Sequence, residues 1–456
     1  VSAAATYRRA TGNAKLSGTL NRIQVSPFAL TVDKSSLSGE AGIKLGQRPD
    51  ILLVLNADSV NFDNYIAALP VEEQEKSWAQ RMQYRFGKLG IVNDFDMQLR
   101  ANLDLAIYEN MPFEKVEVSA NLLDGQLEVK QLQINSVANS QMEFAGVVKG
   151  FGAVPAYENL KYAVKTKDVA SLINKLEFKV PDLDFKQLKN FESKGIATGT
   201  LDKFVVKAIS RLEEFDFAFA GKVTREAEGF SYNGQLEAKH PDFVKMLNNF
   251  NIVYDPQVYS LGLFNLKTKF AGTPEQFRAN PLEFNIGFNS FSGELNYDGS
   301  GERPSILTTM KINKFEAERF LNKPAATEGA KPVADGEKNA EFLAKPFWSR
   351  GRINYAPLQK FDLSGTFDVN EFSYKDFGLK NARADLNLAD GVLNLNSLSG
   401  DYRGAPMAAR LTVNSKDRTS ASGNLKLTGI DVSFLPWAGA KYGVTGGKAD
   451  LEITAN

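Results

Sequence analysis

The sequence predicts a mainly β protein: an elongated, repetitive antiparallel sheet with short helices between groups of strands. Three observations carry this reading. Apolar side chains alternate strictly with polar ones, Asp-Gly and Asn-Gly pairs separate the alternating runs, and a long stretch of the chain recurs.

Alternation comes first because a strand turns successive side chains to opposite faces. Phe28-Ala-Leu30-Thr-Val32, Phe215-Asp-Phe217-Ala-Phe219 and Leu282-Glu-Phe284-Asn-Ile286-Gly-Phe288 each place an apolar stripe on one face. Phe is abundant, at 32 residues, and many of them occupy such positions, where aromatic side chains suit a half-buried strand.

Turn chemistry comes next. Asp124-Gly125 divides Asn121-Leu-Leu from Gln126-Leu-Glu-Val, and Asp390-Gly391 divides Leu386-Asn-Leu388 from Val392-Leu-Asn-Leu. Asn233-Gly234 is a third expected hairpin. Both central residues of a type I′ turn need positive φ, which Asp, Asn and Gly tolerate best.

The repeat links these elements. Residues 14–66 align with 268–321 at an offset of 254 to 255, with Gly18 matching Gly272, Pro27 matching Pro281 and Pro49 matching Pro304. The stripe Phe28, Leu30, Val32 matches Leu282, Phe284, Ile286, and Asp124-Gly125 matches Asp390-Gly391 at an offset of 266. The change in offset falls in spacers, where insertions are best tolerated.

Five helix-like stops punctuate the strands: Asn61–Ile66, Asp168–Ile173, Asp242–Leu247, Glu316–Leu321 and Asp431–Leu435. An acidic residue or Asn at the start can cap the free N–H groups of a first turn, and Pro241 suits the first helical position. Two spacers depart from the β pattern. Residues 70–88 read as one helix with an acidic start and a basic end, and 322–345 as a disordered linker.

The expected segments are 1–70, a first β unit; 71–90, a helical spacer; 91–180, a second β unit; and 181–262, a divergent middle β unit. Residues 263–322 then copy the first unit, 323–345 form the linker, and 346–456 copy the second unit in truncated form. A start at Val1 without a signal pattern, and an end within a strand-like run, read as a piece of a longer protein.

Composition narrows function. Lys+Arg and Asp+Glu are both 54, so no net field attracts nucleic acid or marks a polybasic membrane patch. Cysteine is absent, which removes disulfides, thiolate metal sites and Cys nucleophiles. No run of 18 apolar residues marks a transmembrane helix.

Candidate chemistry is sparse. The single histidine, His240, has no second His or Cys to form a metal set, and a surface or capping role is expected. Gly299-Ser-Gly301 lacks the Lys of a phosphate loop and reads as a turn. Glu72-Glu73 and Glu213-Glu214 read as solvated charge rather than a catalytic pair. Trp78 and Trp348 fit either the end of a β core or an interfacial anchor. No enzyme is expected, and neither a cofactor nor a metal.

The run Ser26-Pro27-Phe28, Leu37-Ser38-Gly39, Arg48-Pro49-Asp50-Ile51 and Leu55-Asn-Ala57-Asp58 resembles the AsmA family of Gram-negative envelope proteins. So do the segment from Trp348 through Asp362, the Asp390-Gly391 hairpin and Gly443-Val-Thr-Gly-Gly447-Lys-Ala-Asp450-Leu451; residues 180–262 are least typical. The resemblance implies a sheet curled into an open, taco-like groove in the periplasm. It also implies an N-terminal inner-membrane anchor lying outside this sequence and possible contact with the outer membrane. The implied ligand is phospholipid or another acyl lipid, carried between the two membranes.

The apolar stripes then become candidates for a lipid-lining face. They are Phe28, Leu30, Val32, Val118, Leu122, Leu127, Val129, Phe215, Phe217 and Phe219 in the first part of the chain. In the second part they are Leu282, Phe284, Ile286, Phe288, Leu386, Leu388, Leu393 and Leu395. From periodicity alone the same stripes could be sandwich core, since an apolar sheet face must be covered by something. A structural or assembly role in outer-membrane biogenesis, acting by sheet-edge pairing without lipid transport, is the alternative.

Overall fold

The computed structural model describes residues 9–66, 69–175, 188–226, 229–323, 359–415, 420–434 and 446–455. It is mainly β, with open antiparallel sheet and few short helices, as the alternation and the turn pairs predict. The chain divides into two units. One comprises residues 1–241, 245–252 and 265–274, and the other comprises 242–244, 253–264 and 275–456.

The first unit begins with β1 (Ala10–Thr19), β2 (Arg22–Val32), β3 (Ser35–Lys44) and β4 (Asp50–Asn61). It continues with β5 (Asp96–Tyr108), β6 (Met111–Leu123), β7 (Gln126–Val137), β8 (Ser140–Lys149) and β9 (Ala156–Thr166). Then come β10 (Phe191–Thr200), β11 (Lys203–Leu212), β12 (Phe215–Glu226), β13 (Gly229–His240) and β14 (Phe264–Gly272). From β1 to β13 each strand pairs with the next, antiparallel everywhere except the parallel pair β4–β5.

The second unit holds β15 (Gln276–Ile286), β16 (Asn289–Asp298), β17 (Ser305–Glu316), β18 (Asp362–Tyr374) and β19 (Phe377–Ala389). After them run β20 (Val392–Tyr402), β21 (Ala405–Asn414), β22 (Ser420–Asp431) and β23 (Lys448–Ala455). The same pairing rule holds, with β17–β18 as the parallel pair. The strand series from β2 to β10 is therefore repeated by β15 to β23, and β11–β13 belong to the stretch with no second copy. The prolines that anchor the alignment have one role in both copies. Pro27 and Pro281 each sit in a register shift, where a residue without an N–H costs no ladder bond.

A parallel pair needs a crossover from the end of one strand back to the start of the next. In the first unit residues 62–95 supply it, through α1 (Val71–Gln74), α2 (Trp78–Lys88) and a 3-10 turn at Gly90–Asp94. The single helix expected over 70–88 is thus broken in two. Gln80 Oε1 accepts from both the N–H and the hydroxyl of Ser77, at 3.1 and 3.0 Å, and this starts a fresh helix there. The linker expected at 322–345 and the Trp348 segment lie almost wholly outside the described residues.

All five helix-like stops are short helical segments: 3-10 turns at Phe62–Asn64 and Val432–Phe434, α3 (Val169–Lys175), α4 (Phe243–Asn249) and α5 (Ala317–Phe320). Asn61, Asp168 and Asp431 accept from the N–H of Asp63, Ser171 and Ser433, as caps should. Pro241 stands ahead of Asp242 and outside α4, so it does not fill the first helical position.

Asp124-Gly125 and Asp390-Gly391 are hairpin turns with positive φ at both residues. Asn233-Gly234 is not a turn. It lies within β13, opposite Lys222 and Gly221. A Cβ on Gly234 would come within 2.9 Å of the Gly221 Cα, so this glycine serves close strand approach rather than a bend.

Candidate functional site

Because strand side chains alternate, the pairing register decides whether separate apolar stripes share one face. In the first unit they do. One cross-strand line runs Leu30, Leu37, Ala57, Leu103, Val116, Ile134, Met142, Val164, Ser193, Ser210, Phe217, Ala238. The next line on that face runs Phe28, Gly39, Leu55, Ala101, Val118, Leu132, Phe144, Tyr162, Gly195, Ala208, Phe219, Leu236. Two serines are the only hydroxyls in the first line, and the second carries one tyrosine.

The second unit builds the matching line from its own copy: Leu282, Gly293, Met310, Phe367, Ala384, Leu398, Ala409, Leu425, Ile453. Another runs Phe277, Tyr297, Ile306, Leu363, Leu388, Leu393, Val413. Gly39 and Gly293 hold corresponding places, where a Cβ would fall against a carbonyl oxygen of the neighbouring strand.

The candidate residues distribute as follows. Phe28, Leu30, Val32, Val118, Leu122, Leu127, Val129, Phe215, Phe217 and Phe219 all project to the apolar face of the first unit. So do Leu282, Phe284, Ile286, Leu386, Leu388, Leu393 and Leu395 in the second, where Phe284 stacks on Phe291 at 4.4 Å. Phe288 does not. β15 ends at Ile286, Phe288 sits in the turn after Gly287 and is 89% exposed, so the alternation continues in sequence past the end of the strand.

Burial changes along the first line. Ala57, Leu103, Val116, Ile134 and Met142 are buried, with Phe62, Trp78 and Leu172 packed among them. The crossover therefore runs over the apolar face at β4–β8, and Trp78 is part of that packing. Val164 and Phe217 farther along are only half-buried.

The rims are fixed by charge, which single-strand periodicity could not reveal. At one rim Arg81 donates to Glu109 Oε2 at 2.7 and 2.9 Å, with both side chains largely buried, and Asp63 accepts the N–H groups of Glu109 and Asn110. Burial, then the neighbouring Glu109 charge, pushes the Tyr108 hydroxyl up to about 12, with Arg85 opposing. At the other rim Arg48 donates to Asp96 at 2.6 Å and to the carbonyls of Asn93 and Phe95, while Asp96 accepts from the Asp124 N–H. The second unit repeats this with Arg303, Asp362, the carbonyls of Gln359 and Phe361, and the Asp390 N–H. Arg48-Pro49 and Arg303-Pro304 were the available sequence signal, since each precedes a parallel strand pair.

His240 is buried, 1% exposed, with its ring 6.5 Å from that of Phe215. The expected surface role is therefore wrong: as the last residue of β13, an even number of positions from Ala238, it falls on the apolar face. Among the described residues no group of three or more His, Asp or Glu is placed to hold a metal, and no helix is long and apolar enough to cross a membrane. What the face offers chemically is mainly apolar surface; its polar side chains among the described residues include His240 and the Ser193–Ser210 pair, whose hydroxyls lie 2.9 Å apart. Comparison with family models, curated proteins and solved structures finds no match for this chain.

Proposed function

We propose that the apolar face holds lipid acyl chains, and that the protein carries phospholipid between the inner and outer membranes of a Gram-negative envelope. The observation that carries this reading is the cross-strand line across β2–β13, apolar except at Ser193 and Ser210, which is left half-buried at Val164 and Phe217. Among the described residues each strand from β1 to β13 belongs to one succession of pairs. Burial contributes about 0.8 kcal/mol per methylene, so a chain of some sixteen carbons would gain on the order of 10 kcal/mol. Retention then needs no polar site, which accounts for the absence of a catalytic motif.

The test is to purify the protein gently, extract it with organic solvent and identify lipids by mass spectrometry. At least one phospholipid per chain is expected, whereas a well-folded, lipid-free protein overturns the reading. Phe217→Asp should remove the lipid and leave the fold, because the site is half-buried. Leu103→Asp should unfold the first unit, because an unpaired charge would be buried there.

Sheet-edge pairing is the second reading, and one observation favours it. β1 is exposed along its whole length, and among the described residues it pairs only with β2. A strand-forming peptide that protects β1 amides from hydrogen exchange would support that role.

A further inference from the structure

The opposite face of β9–β13 has an organisation of its own. Its outermost line, Lys165, Glu192, Arg211, Asp216, Lys239, alternates in charge. Ion pairs follow it: Lys165–Glu192 at 2.6 Å, Arg211–Asp216 at 2.5 Å and Lys239–Asp216 at 3.8 Å. Beside it Lys267 pairs with Glu237 at 3.1 Å.

One and two steps inward the pattern changes. The lines Lys194, Ile209, Ala218 and Lys161, Ile196, Lys207, Ala220 set cations among aliphatic side chains, and continue on β13 to Glu237, which Lys267 neutralises, and to Gln235. Among the described residues no ion pair reaches Lys161, Lys194 or Lys207, although all three are exposed. Ile196 and Ile209 are 42% and 63% exposed between them. These residues line one cavity of about 530 Å³. Exposed β-branched residues with unneutralised lysines are a poor solvent face, and they occur beside the strands β11–β13 that have no second copy.

Spacing selects the occupant. Neighbouring strands lie about 4.8 Å apart, so Lys161 and Lys207, two strands apart with Ile196 between them, are roughly 10 Å apart. Residues i and i+7 of an α-helix are about 10.5 Å apart along its axis, with i+3 and i+4 between them on the same face. We propose that this cleft docks an acidic amphipathic helix of a partner protein, with carboxylates at i and i+7 meeting Lys207 and Lys161 and an apolar residue between them on Ile196 and Ile209. Lys194 neutralises a further carboxylate beside them. The site is on the opposite face from the lipid reading and stands without it.

The probe is a fluorescent helical peptide with Glu at i and i+7 and Leu at i+3 and i+4, read by anisotropy against a scrambled peptide of the same composition. Binding at least tenfold tighter than the scrambled control is expected, lost in Lys161→Glu/Lys207→Glu and weakened in Lys161→Gln/Lys207→Gln. Both variants should melt at the wild-type temperature, since these side chains are exposed and unpaired. Equal binding of the two peptides, no binding, or binding indifferent to charge reversal overturns the proposal. So does lysine-dependent sedimentation with phosphatidylglycerol vesicles in the absence of peptide binding, which would make the patch a membrane contact. Co-purified lipid should be unchanged in every variant.

Discussion

Asp96 is the residue on which one whole rim connection depends. It accepts from Arg48 and from the Asp124 N–H, and these bonds hold its carboxyl below the ordinary carboxylate range, the Arg48 bond first. Asp362 is lowered in the same way in the second unit, by the Asp390 N–H first and then by Arg303. A folded pKa below the unfolded one gives stability that is present above the ordinary value, about 4, and is lost as pH falls through the lowered one. The melting temperature should therefore drop on acidification below about pH 4. In Asp96→Asn it should already be lower at pH 7 and fall less on acidification. A pH profile parallel to that of the wild type would mean that the carboxylate contributes nothing. The sequence displayed Arg48, Asp96 and Asp124 separately, as a dipeptide, a strand start and a turn. Only the crossover brings them together, because residues 48 and 96 become neighbours when β4 and β5 pair in parallel.

At the scale of elements, the short helical stops were legible because their signal is local. Asn or Asp followed by a turn of helix requires no knowledge of partners, and strand direction explains why the stops recur. β4, β9 and β13 run the same way, as do β17 and β22, so within each unit the stops close one rim. Asn233-Gly234 misled because turn chemistry permits a bend without requiring one, and Gly221 across the ladder uses the missing Cβ instead. Phe288 misled for the converse reason, since alternation does not record where pairing ends. The position of α2 was the least legible. Its composition predicts a helix, but the parallel pair sends it across the apolar face, and Arg81 fastens one end to Glu109. Arg81→Ala leaves Glu109 largely buried without its cation, and a loss of about 3 kcal/mol is expected in urea unfolding. Hydrogen exchange should accelerate first in α2. An unchanged midpoint would show that Trp78 packing alone seats the helix.

For the molecule as a whole, the first unit's apolar face is one surface with two different coverings, and this decides where a lipid could lie. At β4–β8 the protein covers the face itself, with Phe62, Trp78 and Leu172 packed on Leu103, Val116 and Met142. Toward β12 the same cross-strand line reaches Phe217, and the next line reaches Phe219, both half-buried. An acyl chain gains free energy in proportion to the apolar area it removes from water, so it should settle where area is still exposed. A photoreactive residue replacing Phe217 or Phe219 should therefore crosslink to lipid during expression, whereas one replacing Val116 or Met142 should not. Weakening the strap with Arg81→Ala should extend crosslinking toward β6–β8. Uniform labelling along the line would mean that the crossover is no barrier, and labelling confined to Val116 would reverse the assignment of the open part of the face. The experiment thus separates a face filled along its length from one whose first half is protein core, a distinction that periodicity could not make because both coverings leave the same alternation in the sequence.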